Sequence, residues 1–326
     1  MADISRKATR KETKESSLSR LLTWSLLLVA LVPAIPSAAY EDITGFSGGH
    51  VTGTLTLKGQ PMPPRRFNLV LNPDPYYCGR VSDGKGWRLT PMTHLGPKQT
   101  LEGAIVYLQD VKKGKPFSKN SPHRLKVQNC VFVPYIEGIK VGERMHIENW
   151  DPVQHQLEVF LTSSEGGIRL FGASLQSHPD NQKSDYLSEG KTGTPLPGPE
   201  QVYRMDTPGV LFFRCNYHEY MEGWSVVVPH PYYTRTQETG EFAIEDIPPG
   251  SYTLKIWHPQ GTVEISVHIQ AHDTINLDIQ LTPDHTTAQL EEPSNTNPYG
   301  IDLVGDAHIV PTVELQQWNS LSPSQP

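Results

Sequence analysis

Apolar residues in this chain fall at every second position in runs of only a few residues, and glycine or proline closes most of these runs. Val51, Leu55 and Leu57 alternate with threonines around Gly53, and Phe67, Leu69 and Leu71 repeat the step. A period of two puts one face of an extended strand into a core and the other into water. With 29 prolines and 26 glycines, the chain is cut too often to read as helix-rich, and the punctuation falls where turns between strands belong. The prediction is an all-β protein. Its 326 residues, 19% of them charged, suffice for two modest domains or one elaborated one with a real core.

Four stretches follow a leader. Residues 44–112 hold the first strands, including the more buried Gly103–Leu108, with a Gly/Pro/Lys-rich loop around Cys78. Residues 125–229 form a second block, in which Cys130–Pro134, Ile139–Val141, Met145–Ile147, Gln156–Phe160, Val210–Phe213 and Trp224–Val228 read as strands. Within it, 161–200 reads as a long irregular insertion, because Ser163-Ser-Glu-Gly-Gly167 and Lys191-Thr-Gly-Thr-Pro-Leu-Pro-Gly198 are loop-like. Residues 230–282 supply four or five more alternating strands around a Pro248-Pro-Gly250 turn. Residues 283–326 are polar and aperiodic and read as a disordered tail.

The leader is expected at 1–39. Arg6, Lys7, Arg10, Lys11, Lys14 and Arg20 precede an apolar stretch from Leu21 to Ile35, and Ser37-Ala38-Ala39 offers small residues to a signal peptidase. That stretch is short for a membrane span of about 20 residues, so cleavage after Ala39 is the expectation and an uncleaved anchor the alternative. Without 1–39 the chain carries ten acidic charges in excess. An acidic surface is unsuited to nucleic acid or anionic lipid, and a membrane enters only if the leader stays. The expected location is periplasmic or extracellular.

Three cysteines in an exported chain leave one unpaired. Cys215 ends the apolar run Val210-Leu-Phe-Phe213, His218 and Met221 follow at intervals of three, and a second strand leaves from Trp224. Chance placement of 3 Cys, 13 His and 6 Met gives this spacing about 0.002 times per chain. A thiolate, two imidazoles and a weak thioether are what an electron-transfer copper site requires. The second imidazole is expected from His155, which follows the turn Asn149–Gln154 and opens a strand. Cys78 and Cys130 are expected to form a disulfide. The rival, Cys130 joining a second metal, has no spaced partner.

Residues 125–229 on this basis resemble a cupredoxin, the Greek-key β-sandwich of the blue-copper proteins plastocyanin and amicyanin. The resemblance implies one type 1 copper ion held by His155, Cys215, His218 and Met221. It also implies hydrogen bonds from Asn149 that tie the two ligand loops together, and an exposed edge at His218 through which electrons pass. Gln156 departs from the family, which usually has asparagine after the first histidine. Residues 230–282 resemble a transthyretin-like, carboxypeptidase regulatory-like β-sandwich through Thr239-Gly-Glu-Phe-Ala-Ile-Glu-Asp-Ile-Pro-Pro-Gly-Ser-Tyr-Thr-Leu254. That family's opening strand has its counterpart far upstream, at Gly49-His-Val-Thr-Gly-Thr-Leu55. Either the cupredoxin is inserted into the sandwich or the first strands form a separate cap.

No His-x-His pair, Ser-His-Asp arrangement, phosphate loop or haem-attachment motif is present. His178, His230, His258 and His268 read as structural or solvent-facing, and Tyr217, Tyr220 and Trp224 as either a docking rim or a cover for the metal. The expected function is electron transfer without catalysis, with a redox protein such as a c-type cytochrome or a membrane-bound enzyme as partner. The alternatives are a copper carrier or storage protein, against which the six methionines count, and an exported scaffold.

Overall fold

The alternating runs become strands that stack into two β-sandwiches in the computed structural model, which describes residues 40–90, 93–117, 122–163, 166–181 and 195–284. The fold is all-β. The first sandwich sets a five-stranded sheet, in the order Gly166–Leu175, His155–Ser163, Gly209–Cys215, Glu222–Val228 and Ile136–Lys140, against a four-stranded one. The opposing sheet runs Gln201–Arg204, Arg144–Asn149, His123–Val127 and Phe132–Val133. Leu125, Ile147, Leu157, Val159, Leu211 and Phe213 meet in the core between them.

The second sandwich packs Tyr233–Arg235, Ile105–Leu108, Gly250–His258 and Gly261–Ile269 on a three-stranded sheet. In that sheet Gly49–Leu57 lies between Glu241–Ile247, antiparallel to it, and Thr274–Leu281, parallel to it. The opening strand therefore finds its partners at the far end of the chain. Val51, Leu55 and Leu57 face the core, each worth about 1.5–3 kcal/mol in transfer from water. Gly53 is required between them, because a Cβ there would come within 2.2 Å of the Leu277 carbonyl oxygen. Ile105, Ile136, Val226 and Val228 form a small apolar cluster between the two sandwiches, where the Trp224 and Trp257 rings lie 5.4 Å apart.

Between Gly49–Leu57 and Ile105–Leu108 the chain crosses to the first sandwich. Arg66–Asn68 pairs with Trp87–Leu89, and three short helical turns at Leu69–Leu71, Pro75–Cys78 and Gly79–Val81 lie between them. Phe67, Leu69, Tyr77 and Cys78 sink into the first core. A disulfide joins Cys78 to Cys130, across 52 residues of chain. This segment is a cap fixed over one end of the first sandwich.

The stretch 161–200, expected to be irregular, is in its first part a long hairpin. His155–Ser163 pairs residue by residue with Gly166–Leu175 around a bulge at Val159/Phe160. The glycines that read as loop, Gly166 and Gly167, open the second strand opposite Ser163 and Thr162, and the arm carries exposed Ile168 and Leu170, so backbone pairing rather than burial holds it. The leader 1–39, residues 182–194 of the insertion and the tail beyond Asp284 lie outside the described residues. No helix among the described residues is long and apolar enough to cross a membrane.

Candidate metal centre

Two short connections of the first sandwich build the site. One is the turn from Asn149 to His155. The Asn149 amide donates to the carbonyls of Val153 at 2.8 Å and Leu175 at 2.9 Å, and its oxygen accepts from the Asp151 N–H at 2.9 Å. The asparagine thus braces its own turn against the hairpin arm. The bonds expected from it to the loop of Cys215 are not among those it makes in the described residues, since that loop lies on the far side of His155–Ser163.

The other connection is the loop between Gly209–Cys215 and Glu222–Val228, closed by Met221 N–H to the His218 carbonyl at 2.8 Å and Cys215 N–H to the Met221 carbonyl at 3.2 Å. The two connections are joined through the backbone of residue 156. Its N–H donates to Cys215 Sγ at 3.4 Å, and its carbonyl accepts from Asn216 N–H at 2.8 Å. The link runs through the main chain of residue 156, so it does not depend on the glutamine side chain.

The structure brings three of the four expected ligands to one point. His155 Nδ1 lies 3.1 Å from His218 Nδ1 and 3.8 Å from Cys215 Sγ, and His218 Nδ1 lies 3.6 Å from the same sulfur. Both imidazoles are 0% exposed. Met221 is buried in the same core, and its backbone closes the loop on Cys215 and His218. The fit to a metal can be judged from the donors. A point equidistant from the three facing atoms lies about 2.0 Å from each, close to a metal–imidazole bond of about 2.0–2.1 Å and somewhat short of a metal–thiolate bond of about 2.3 Å. Three electron-pair donors aimed at one buried point repel one another unless a proton or a metal ion sits among them. One sulfur and two nitrogens are the set that a soft or borderline first-row ion prefers. The donor set fits.

Asp151 controls His155. Its carboxylate is fully buried and accepts four hydrogen bonds: Asn129 N–H at 2.6 Å, Cys130 N–H at 2.9 Å, Tyr77 O–H at 3.0 Å and His155 Nε2 at 3.0 Å. A proton held on Nε2 by the carboxylate leaves Nδ1 with a lone pair facing the sulfur, the tautomer that a ligand needs. Burial disfavours charge on His155, but the bonds to Asp151 and Cys215 outweigh it and raise its pKa to about 9, so without a metal Nδ1 carries a proton toward the sulfur, and it is this proton that a bound ion would displace to reach the lone pair. Burial likewise opposes a thiolate at Cys215, and the two imidazoles overcome it, bringing the pKa down to about 6. The carboxyl of Asp151, also buried, is held below its usual range chiefly by His155.

The edge of His218 is not exposed, contrary to what the family resemblance implies. The cap covers it: His218 Nε2 lies 3.6 Å from the Cys78 sulfur and 3.8 Å from an Asp74 carboxylate oxygen. A second cluster, Cys130 with Asp151 and His155, offers no ligand set of its own because the Cys130 sulfur is spent in the disulfide. Of the aromatic residues near the ligands, Tyr220 is buried against His218, Tyr217 is exposed, and Trp224 belongs to the contact between sandwiches. Sequence reasoning missed Asp151 and Tyr77. A carboxylate four residues before the expected ligand was a readable signal for the first, and nothing local points to the second.

The family model that matches this chain is polysaccharide lyase family 4, domain II, over residues 230–277, which corrects the carboxypeptidase regulatory-like resemblance expected for 230–282. A comparison with curated proteins returns no match. Among solved structures, a purple cupredoxin from Nitrosopumilus maritimus is similar at 16% identity and a TM-score of 0.24, covering 32% of this chain and 99% of that one. A copper-containing nitrite reductase from Thermus scotoductus SA-01 is similar at 16% identity and a TM-score of 0.23, over 34% of this chain and 23% of its own. A reduced Cu(I) form of an amicyanin mutant at pH 4 is similar at 14% identity and a TM-score of 0.24, over 38% of this chain and 98% of that one. What this chain itself presents is a sealed pocket in which a low-pKa thiol and two imidazoles share one focus.

Proposed function

We propose that this chain is an exported type 1 copper protein that passes single electrons between protein partners. The observation that carries the reading is the convergence of His155 Nδ1, Cys215 Sγ and His218 Nδ1 within 3.8 Å of one another in a fully buried pocket. Bound copper supplies a one-electron Cu(II)/Cu(I) couple. The chain's own contribution is to hold the donors still. Cys215 and His218 sit on a hairpin loop closed by two main-chain bonds, His155 is fixed by Asp151, and Met221, buried in the same core, would supply the weak thioether contact.

The Cys78–Cys130 disulfide suits an oxidising compartment such as the periplasm or the exterior, in keeping with the leader read from 1–39. The burial of the donors also disfavours a carrier, which has to release its ion. A c-type cytochrome or a membrane-bound enzyme is the partner this reading calls for.

The test is to load the full chain with Cu(II) and record its visible spectrum and voltammetry. An intense thiolate-to-copper band, lost in Cys215→Ser, together with reversible one-electron reduction, is expected. A colourless protein that binds only Cu(I) would point to a carrier, and no binding at all to a scaffold.

A further inference from the structure

The cap and the first sandwich leave between them a cavity of about 180 Å³ that the metal cluster does not use. Arg88 and Thr90 of the cap line it, with Tyr220 of the ligand loop and the apolar residues Val131, Phe132 and Val133. Arg88 is only 8% exposed. Its guanidinium lies over the Tyr220 ring, 5.0 Å from the centroid, and donates to the Cys130 carbonyl at 3.3 Å. Among the described residues no carboxylate pairs with it. Glu222 shares the cavity, but its carboxylate is engaged by the Arg65 guanidinium and, at 2.7 Å, by the Tyr135 hydroxyl.

Two residues that line the same space, Tyr220 and Thr90, carry hydroxyls buried without a hydrogen-bond partner among the described residues. These residues are 2% and 1% exposed. A guanidinium stays charged inside a protein. A buried charge without a counter-charge, beside two orphaned hydroxyls, is a costly arrangement that a bound anion relieves. With Arg65 and Arg88 set against Glu222, the cavity carries one positive charge in excess.

We propose that this cavity binds a small monocarboxylate, its carboxylate on Arg88 and the hydroxyls of Tyr220 and Thr90 and its short aliphatic tail against Val131, Phe132 and Val133. The planar guanidinium fork matches the planar carboxylate. The apolar wall is a poor exchange for the water around a multiply charged sulfate or phosphate. The volume is well below that of pockets for drug-sized ligands. The site stands whether or not the neighbouring cluster holds a metal.

Calorimetric titration of the full chain with acetate and propionate tests this, with sulfate and chloride as controls. Saturable one-to-one binding is expected, about three- to fourfold tighter for propionate through its extra methylene. Arg88→Gln is expected to weaken it about 10- to 100-fold, and Tyr220→Phe or Thr90→Val about two- to tenfold each. Absence of saturable binding overturns the proposal, as does equal binding of sulfate or chloride. If Arg88→Gln does not fold, undiminished propionate binding in both Tyr220→Phe and Thr90→Val overturns it as well.

Discussion

At the edge of the second sandwich His230 and His258 each accept on Nδ1 a backbone N–H two residues on, from Tyr232 at 3.3 Å and Gln260 at 3.0 Å. In the first sandwich, His155 and His218 turn Nδ1 toward each other and toward a sulfur. All four rings are buried. Burial wins at His230 and His258, whose pKa values fall to about 4 and about 3, so both are neutral acceptors capping a turn. At His155 a buried carboxylate behind the ring reverses the outcome and the pKa rises to about 9. Burial alone therefore does not make a functional histidine. What distinguishes the first sandwich is that its buried polar groups converge instead of each serving the nearest turn.

This contrast can be broken in several places. The largest effect is expected from replacing both Cys78 and Cys130 by serine. Their disulfide spans 52 residues, and losing it should cost about 4 kcal/mol of unfolding free energy. A urea midpoint that hardly moves would show that the cap is held by its buried side chains alone. Next comes acid. His230 and His258 have folded pKa values depressed below the usual 6.5, so the unfolded chain binds the extra protons. Stability is complete above about pH 6.5 and falls as pH drops towards 4, by roughly 3 kcal/mol for each ring. Melting curves of the wild type and of His258→Gln across that window measure it, and equal acid sensitivity in the two would contradict the assignment.

Smaller changes probe the site itself. Asp151→Asn should lower metal affinity about 10- to 100-fold, since it weakens the group that orients His155. Competition against a chelator reads this directly. The least effect is expected from Gln156→Ala, within about 0.5 kcal/mol in stability and with an unchanged visible spectrum, because the link to Cys215 runs through the backbone of residue 156. A shifted spectrum there would mean that the side chain takes part after all.

The legibility of these features in the sequence follows from how local they are. Cys215 and His218 share one hairpin loop, so their spacing alone points to them, and His155, which the structure brings to them, follows from a turn only six residues long. The strands of the second sandwich show because each buries one face. The cap shows only as the alternation of Phe67, Leu69 and Leu71, which misleads because Leu69–Leu71 is a helical turn; its Tyr77 and Cys78 are recruited by a core and a disulfide far along the chain, and its glycines and prolines imitate a loop. The arm Gly166–Leu175 is hidden for the opposite reason. Its outer residues are not buried, so alternation there carries no signal. The exposed edge expected at His218 failed with the cap, because the residue that covers it arrives from position 78.

The strand Gly49–Leu57 has one further consequence, for the order in which this protein can be made. Thr52 hydrogen-bonds Asn276, 224 residues away, and both neighbours of that strand come from the last third of the described chain. At about 5–20 residues per second of synthesis, the strand waits roughly 10 to 45 seconds for its partners. Throughout that interval Val51, Leu55 and Leu57 have no sheet to join and are open to mispairing or to capture by a holdase. The first sandwich, whose strands lie within 123–228, can close meanwhile, so the half of the molecule that holds the candidate metal centre should mature before the half that pairs Gly49–Leu57 with Thr274–Leu281.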